Sequence, residues 1–258
     1  VVDLDTQANA SLLVYGHEGD EHLFQAINEY ATISDWLLEN FFANEQKRLS
    51  EFVVTNASDV TYNGKSLPLD LIPSSPRLRK TERELIYELT AKKYSMEALQ
   101  GQVGRRLRDD FNLLKSDYDV IICDCPPGIS VMTESVLAAS HLIIVPTIPD
   151  FMSTLGLDLF TGDIMQNLRD RDIESLPVVL ATRYDDTPHQ KVVLQAMREA
   201  ANSKEAEFEM FNTVIPLRTG FASNPIELGP DPTLAAKWPG EALGIIDKLL
   251  KEVQERLK

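Results

Sequence analysis

Cysteine is scarce in this sequence, with two in 258 residues, Cys123 and Cys125. They flank Asp124 on one strand-like run, and neighbours two apart on a strand are poorly placed to bridge each other. Free thiols, as in a reducing cytosol, are the expectation. A structural metal–thiolate site wants about four ligands, and the four histidines (His17, His22, His141 and His189) are scattered. No apolar run reaches the roughly 18 residues that read as a membrane span. Positive charge is also in short supply. Lys and Arg number 25 against 40 Asp and Glu, a net charge of −15, and such a surface repels nucleic acid unless its cations cluster. No G-x-G-x-x-G spacing follows a strand, which excludes the dinucleotide-dependent oxidoreductases that use it. The chain opens on Val1 inside a strand-like run and not on methionine. The expectation is of a protein without its N-terminal segment.

What is present is an alternation of strands and helices. "VVDLD" opens the chain, and "EFVVTN" and "LPLDLIPSS" read as short strands closed by turn residues. "DVIICD" leads to a helix from about Ser130, and "HLIIVPT" to a helix from about Ser153. "LPVVLATRYDD" precedes the helix "HQKVVLQAMREAA", "FNTVIP" is a last strand, and "GEALGIIDKLLKEVQERLK" closes the chain as a helix. Residues 20–50 read as one or two amphipathic helices, and "SNPIELGPDPTLAAKWPGE" as a surface connection. Alternation of this kind predicts βαβ units: an α/β fold, doubly wound, with a mostly parallel sheet and helices on both faces, in one domain spanning residues 1–258. "VIIC", "LIIV" and "PVVL" are apolar at every position, as central strands covered on both sides should be.

Two of these strands end in carboxylates. Asp5 and Asp124 each follow an apolar run and precede turn chemistry, "TQAN" and "CPPG". Ligands of open parallel sheets bind outside the carboxyl ends of strands. Either aspartate alone would suit the N-cap of the helix that follows. Two of them favour a hard cation carrying phosphate, because Mg²⁺ keeps its waters and uses only one or two protein carboxylates. One basic cluster also stands out. Residues 76–108 hold nine Lys and Arg against four Glu, a local +5 in a chain otherwise at −20. A solvated pair of helices explains it, and so does a nucleic-acid surface.

"VVDLDTQANAS" resembles the second motif of the ParA/MinD family of partition ATPases, D-x-D-x-Q-x-N-x-[ST], and "YDVIICDCPP" resembles the same family's Walker B region. "LDLIPSSPRL", "TESVLAASHLIIVPTIPDFMSTLGL" and "TVIPLRTGFASNP" fall in the family's order, so the resemblance covers about residues 1–250. It implies a P-loop nucleotide-hydrolase fold and the cofactors ATP and Mg²⁺. Asp124 would hold the metal, with Asp3 supporting its shell, and Asp5 would place the hydrolytic water. Gln7 and Asn9 would form one switch segment and Pro126, Pro127 and Gly128 the other. Thr182, Arg183, Pro216 and Leu217 would contact the nucleotide base, although Arg183 would equally serve as a surface cation and Pro216 as a strand terminator. Arg218 would contact DNA without reading sequence. The implied partners are non-specific DNA, a second copy on ATP binding and a centromere-binding ParB-like protein. The implied location is cytoplasmic, at the nucleoid. One departure is large: the family's glycine-rich loop K-G-G-x-G-K-[ST] is absent, so the expectation is of a truncated chain that binds ATP poorly as it stands.

Two rival readings stay open. A MinD-like ATPase of the membrane surface would need an amphipathic C-terminal helix rich in Lys and Arg. Here Leu243, Ile246, Leu250, Val253 and Leu257 form a narrow stripe among mixed charges, which suits packing against the sheet better. A non-hydrolysing adaptor on the same fold would account for the absent loop.

Overall fold

The computed structural model describes residues 1–43, 45–91, 95–166, 176–217 and 228–258, and these form two compact units. Residues 1–139 and 228–237 make the first unit, and residues 140–217 and 238–258 the second, among those described.

In the first unit, strand β1 (Val2–Asp3) pairs in parallel with β4 (Cys123–Asp124), Val2 opposite Cys123 and Asp3 opposite Asp124. On its other side, β1 bridges Ile72 in parallel, and Leu71 bridges Val54 in antiparallel fashion. The expected strand "EFVVTN" is therefore mostly something else. Leu49–Phe52 is a 3₁₀ turn, and only Val54 pairs. An unforeseen hairpin, β2 (Thr61–Tyr62) and β3 (Lys65–Ser66), turns at Asn63 and Gly64, whose φ values of 52° and 74° suit the tight primed turns that Asn-Gly prefers.

Helices α1 (Asn9–Tyr15), α2 (Gly19–Asn28), α3 (Ile33–Phe41), α4 (Leu78–Ala91), α5 (Met96–Leu114) and α6 (Val131–Leu137) belong to this unit. The starts of α3, α5 and α6 follow the expected capping chemistry. The Thr32 backbone N–H donates to Asp35 ahead of α3, and Ser95 and Ser130 accept the backbone N–H groups of Ala98 and Thr133 ahead of α5 and α6. Trp36 and Leu37 of α3, Leu107 of α5 and Met132 of α6 bury against Val2 and Leu4. A charged hub lies beneath. Asp110 is 1% exposed on its side chain, accepts the Trp36 indole N–H (2.9 Å) and the Leu49 N–H (3.1 Å), and sits 3.7 Å from the Arg106 guanidinium.

The second unit is a three-stranded parallel sheet in the order β5 (Ile144–Thr147), β6 (Val178–Ala181), β7 (Glu209–Met210). It carries α7 (Phe151–Leu159), α8 (Pro188–Ala201) and α10 (Ala242–Arg256); α9 (Leu234–Lys237) belongs to the first unit. β6 is covered on both faces, as "PVVL" predicts. Val179 packs with Leu157 and Met197, while Val178 and Leu180 pack with Leu249 and Val253 of α10. The C-terminal stripe is thus shifted from its expected line: Leu250 and Leu257 are exposed, and Arg256 lies over the Phe211 ring at 4.6 Å. No helix among the described residues is long and apolar enough to cross a membrane.

The α/β class with parallel strands and flanking helices is as expected. The cover over "VIIC" is not. Ile121 and Cys123 pack on the first unit's core, but Val120 and Ile122, which face the other way, are 55% and 59% exposed. The run leading into β4 therefore carries two exposed apolar side chains among the described residues.

The Asp110 hub gives a stability test. Asp110→Ala leaves the indole and the Leu49 N–H without their acceptor and Arg106 without its counter-charge. It should cost about 3 kcal/mol in urea unfolding, and a loss below about 1 kcal/mol would show the hub to be dispensable.

Candidate functional site

The parallel register of β1 and β4 places the ends of both strands side by side, with Asp3 opposite Asp124 and Asp5 two residues on. Beyond Asp3 the pairing continues, as the Leu4 N–H donates to the Asp124 carbonyl (2.8 Å). Asp3, Asp5 and Asp124 thus share one sheet end.

Their surroundings differ. Asp3 is fully buried, and both its oxygens are used: Oδ1 accepts the Asp5 N–H (3.0 Å), and Oδ2 accepts the Ser11 N–H (2.7 Å) and hydroxyl (2.6 Å). The Ser11 hydroxyl in turn accepts the Ser74 N–H (3.1 Å). Asp3 therefore faces inward and fixes the start of α1. Asp5 is half-buried, and its Oδ1 accepts the Gln7 N–H (3.0 Å), closing a turn two residues long. Asp124 is exposed.

Neither strand-end aspartate is a helix cap. Ser130 caps α6, and α1 begins from Ala8, a buried residue in the left-handed region (φ 53°) with no side-chain cap. A non-glycine residue held there is strained. The turn after Asp124 contains Gly128 at φ 99°, where glycine is needed for its backbone freedom, since a Cβ would meet nothing within 4 Å. Gln7, Asn9, Pro127 and Gly128 are all exposed, and Pro126 is half-buried.

Charge accumulates here without relief. Partial desolvation raises the Asp124 carboxyl above its ordinary value, and the negative charges of Asp3 and Asp5 raise it further. Burial also raises Asp3, against the opposing effect of its hydrogen bonds from Ser11. No cation pairs with these three among the described residues. The donor set is all oxygen and fits a hard divalent cation. No three His, Cys, Asp or Glu among the described residues form a cage, so such an ion would take one or two protein oxygens and keep its waters, as Mg²⁺ does. The buried Ser74 hydroxyl beside Ser11 has no hydrogen-bond partner among the described residues.

Cys123 and Cys125 are free and half-buried, and burial pushes their thiols up to about 12 and about 11. Neither is a nucleophile near neutral pH.

The base-contacting candidates gather at the carboxyl end of the second unit's sheet. The Thr182 N–H donates to Thr147 (2.9 Å), Tyr184 bridges Pro216, and the Leu217 N–H donates to the Tyr184 carbonyl (2.9 Å). Arg183 is exposed, in the left-handed region at φ 51°. "FNTVIP" is displaced from simple strand form because Glu252 of α10 accepts the Asn212 and Thr213 N–H groups (2.8 Å each), and pairing resumes at Ile215. Arg218 lies outside the described residues, as do Lys92 and Lys93 of the basic cluster. In the rest of that cluster, Arg77, Arg79 and Arg83 are exposed and make no ion pair among the described residues, while Lys80 pairs with Glu84 at 3.5 Å. Sequence reasoning missed Ser74, Tyr184 and the buried Lys237. Ser11 stands within the opening motif, but nothing in "AAKWPG" marks its lysine as buried.

Parallel strands ending in aspartates that no cation neutralises among the described residues, each followed by a turn and a helix, define an α/β protein with a ligand site at the carboxyl ends of its strands. The chain belongs to the AAA domain family AAA_31, of ParA/MinD type, which matches residues 1–176. It is similar to SopA of Escherichia coli K12, 30% identical over 145 residues, covering 54% of this chain and 36% of that one. It is also similar to the sporulation initiation inhibitor protein Soj of Bacillus subtilis, 28% identical over 159 residues, covering 61% and 56%. An uncharacterized Mycobacterium tuberculosis protein is 29% identical over 70% of this chain and 52% of its own. The chain spans about half the length of the curated relatives it matches. Two solved structures share the fold. One is Cyanothece McdA in complex with ATP (TM-score 0.62, 17% identity, 99% of this chain and 83% of that one). The other is a Borrelia burgdorferi plasmid partition protein bound to AMPPNP (0.58, 19%, 97% and 84%).

The raised Asp124 carboxyl predicts a pH signature. A group whose folded value lies above its unfolded one contributes stability at low pH and loses it as pH rises through the folded value. Asp124→Asn removes that loss, so the variant should be the more stable at pH 7, by about 0.5 kcal/mol after solvent screening. The gap should close as pH falls toward the ordinary 3.8. Urea unfolding across that range checks it, and a variant less stable at pH 7 would contradict it.

Proposed function

We propose that this chain, as one ATPase domain over residues 1–258, belongs to a ParA-type partition ATPase that hydrolyses MgATP slowly and alternates between an ADP-bound monomer and an ATP-bound dimer. The observation that carries this reading is the parallel pairing of Asp3 with Asp124, which gathers three acids where no cation among the described residues neutralises them. When bound, Mg²⁺ would neutralise phosphate charge beside them. Asp124, the exposed member, would hold that ion through water. Asp3 would act from behind, fixing α1 through Ser11. Asp5, already ordered by its bond from Gln7, would orient the attacking water. Gln7 and Asn9, where the Asp5 turn enters α1, and Pro126, Pro127 and Gly128, in the turn after β4, would sense the terminal phosphate. Thr182, Arg183, Pro216 and Leu217 would receive the base. The sequence contains no K-G-G-x-G-K-[ST] motif.

Two surfaces support the partners. On α7, Phe151, Met152, Leu155 and Leu159 are 45–72% exposed and nearly uncharged, a patch suited to a second copy in an otherwise acidic chain. On α4, Arg79, Arg83 and Tyr87 recur at four-residue spacing on one face, beside Arg77, and the first turn carries no acid. Exposed, unpaired arginines suit phosphate contacts, so α4 would join Arg218 in holding non-specific DNA. A centromere-binding ParB-like protein would stimulate turnover, and the cytoplasm, at the nucleoid, would be the site of action.

In the native gene product, Asp5→Ala should keep ATP binding and lose at least tenfold in phosphate release, while Asp124→Ala should weaken Mg²⁺-dependent nucleotide binding itself. Equal hydrolysis by wild type and Asp5→Ala would defeat the assignment of Asp5 as the residue that places the water. Arg79→Glu/Arg83→Glu should weaken binding to a random DNA duplex more than tenfold and flatten its salt dependence; unchanged affinity would remove α4 from the DNA surface.

A further inference from the structure

α1 follows directly on the Asp5–Gln7 turn, yet little in its own sequence holds it. It is seven residues long, begins at a strained Ala8 without a side-chain cap, and has no acid in its first turn or base in its last. Isolated helices of this length do not persist in water. Contacts from outside secure it. At its start, Ser11 donates twice to the buried Asp3. At its end stands a side chain 224 residues distant in sequence: the Lys237 ammonium donates to the Leu13 carbonyl at 2.7 Å. A cation at that position also complements the negative end of the helix.

Lys237 is only 5% exposed, and its counter-charge is Asp59, 3.4 Å away. Asp59 uses its other oxygen to accept the His17 N–H at 2.8 Å, just past the helix. Gly16 makes room for this. Its φ is 70°, and a Cβ there would fall 1.9 Å from Asp59 Oδ2. Glycine, acid and lysine therefore converge on the last turn of α1. The lysine's own segment is tied down independently, because the Thr61 N–H donates to the Pro232 carbonyl at 2.9 Å. "SNPIELGPDPTLAAKWPGE", which reads as a surface connection, thus sends a buried lysine into the first unit.

We propose that Lys237 is a positioning residue for the carboxylate cluster. From near the end of the chain it sets where α1 lies, and α1 sets the turn that carries Asp5 and Gln7. Its effect on hydrolysis rests on the function proposed above, whereas the clamp on α1 does not.

The test uses Lys237→Met/Asp59→Asn, which removes both charges and leaves neither orphaned, with Lys237→Arg as the conservative variant. In hydrogen exchange on this chain, the amides of Gln7, Leu12 and Gly16 should exchange at least tenfold faster in the double variant. Those of Val179 and Phe211 in the second unit should stay within twofold, and Lys237→Arg should restore much of the protection. Unchanged exchange along α1, or equal acceleration in both units, would overturn the clamp. In the native gene product, the double variant should lower kcat for MgATP at least tenfold and hold KM within twofold. A loosened α1 with unchanged kcat would overturn the positioning role. If the wild type itself hydrolyses no ATP, the functional reading fails instead, and exchange alone decides the clamp.

Discussion

Like charges brought together by backbone pairing are the constraint on which the site depends. The β1–β4 ladder is held by bonds such as Val2 N–H to Ile122 and Leu4 N–H to Asp124, both 2.8 Å. Those bonds are indifferent to side-chain charge. The register they impose nevertheless puts Asp3 opposite Asp124 and brings Asp5 alongside. Hydrophobic burial of Val2 and Leu4 fixes that register, because a slip of one residue would move both to the opposite face and put Asp3 in their place. The fold thus spends core packing to hold three acids close, and a cation bound there would find its counter-charge already assembled.

The three acids divide the work by burial. Asp3, sealed and satisfied by Ser11 and the Asp5 N–H, couples the strand to α1. Asp5 sits at the boundary, and Asp124 faces solvent. Only the outer two keep freedom to meet a ligand. Lys237 extends the same logic to the far end of α1, so that both ends of one short helix are tied to buried charge.

Much of this was legible in the residues. Apolar runs stopped by an aspartate and turn residues located both strand ends, and the order of "VVDLDTQANAS" and "YDVIICDCPP" carried the family likeness. The helix start at Ser130 was legible because capping is local chemistry. The misses are non-local. "EFVVTN" has strand propensity, yet Leu49 and Phe52 are drawn into the core as a 3₁₀ turn, leaving only Val54 to pair. The burial of Lys237 depends on Leu13 and Asp59, 224 and 178 residues away in sequence. No window along the chain contains that information.

The central claim is that Asp3, Asp5 and Asp124 feel one another's charge. Carbon-13 NMR titration of the Asp124 carboxyl in this chain, free of divalent cations, tests it most directly. The account predicts a midpoint above the ordinary 3.8 that falls when Asp5 is replaced by asparagine. A midpoint at or below 3.8, indifferent to that replacement, would contradict it.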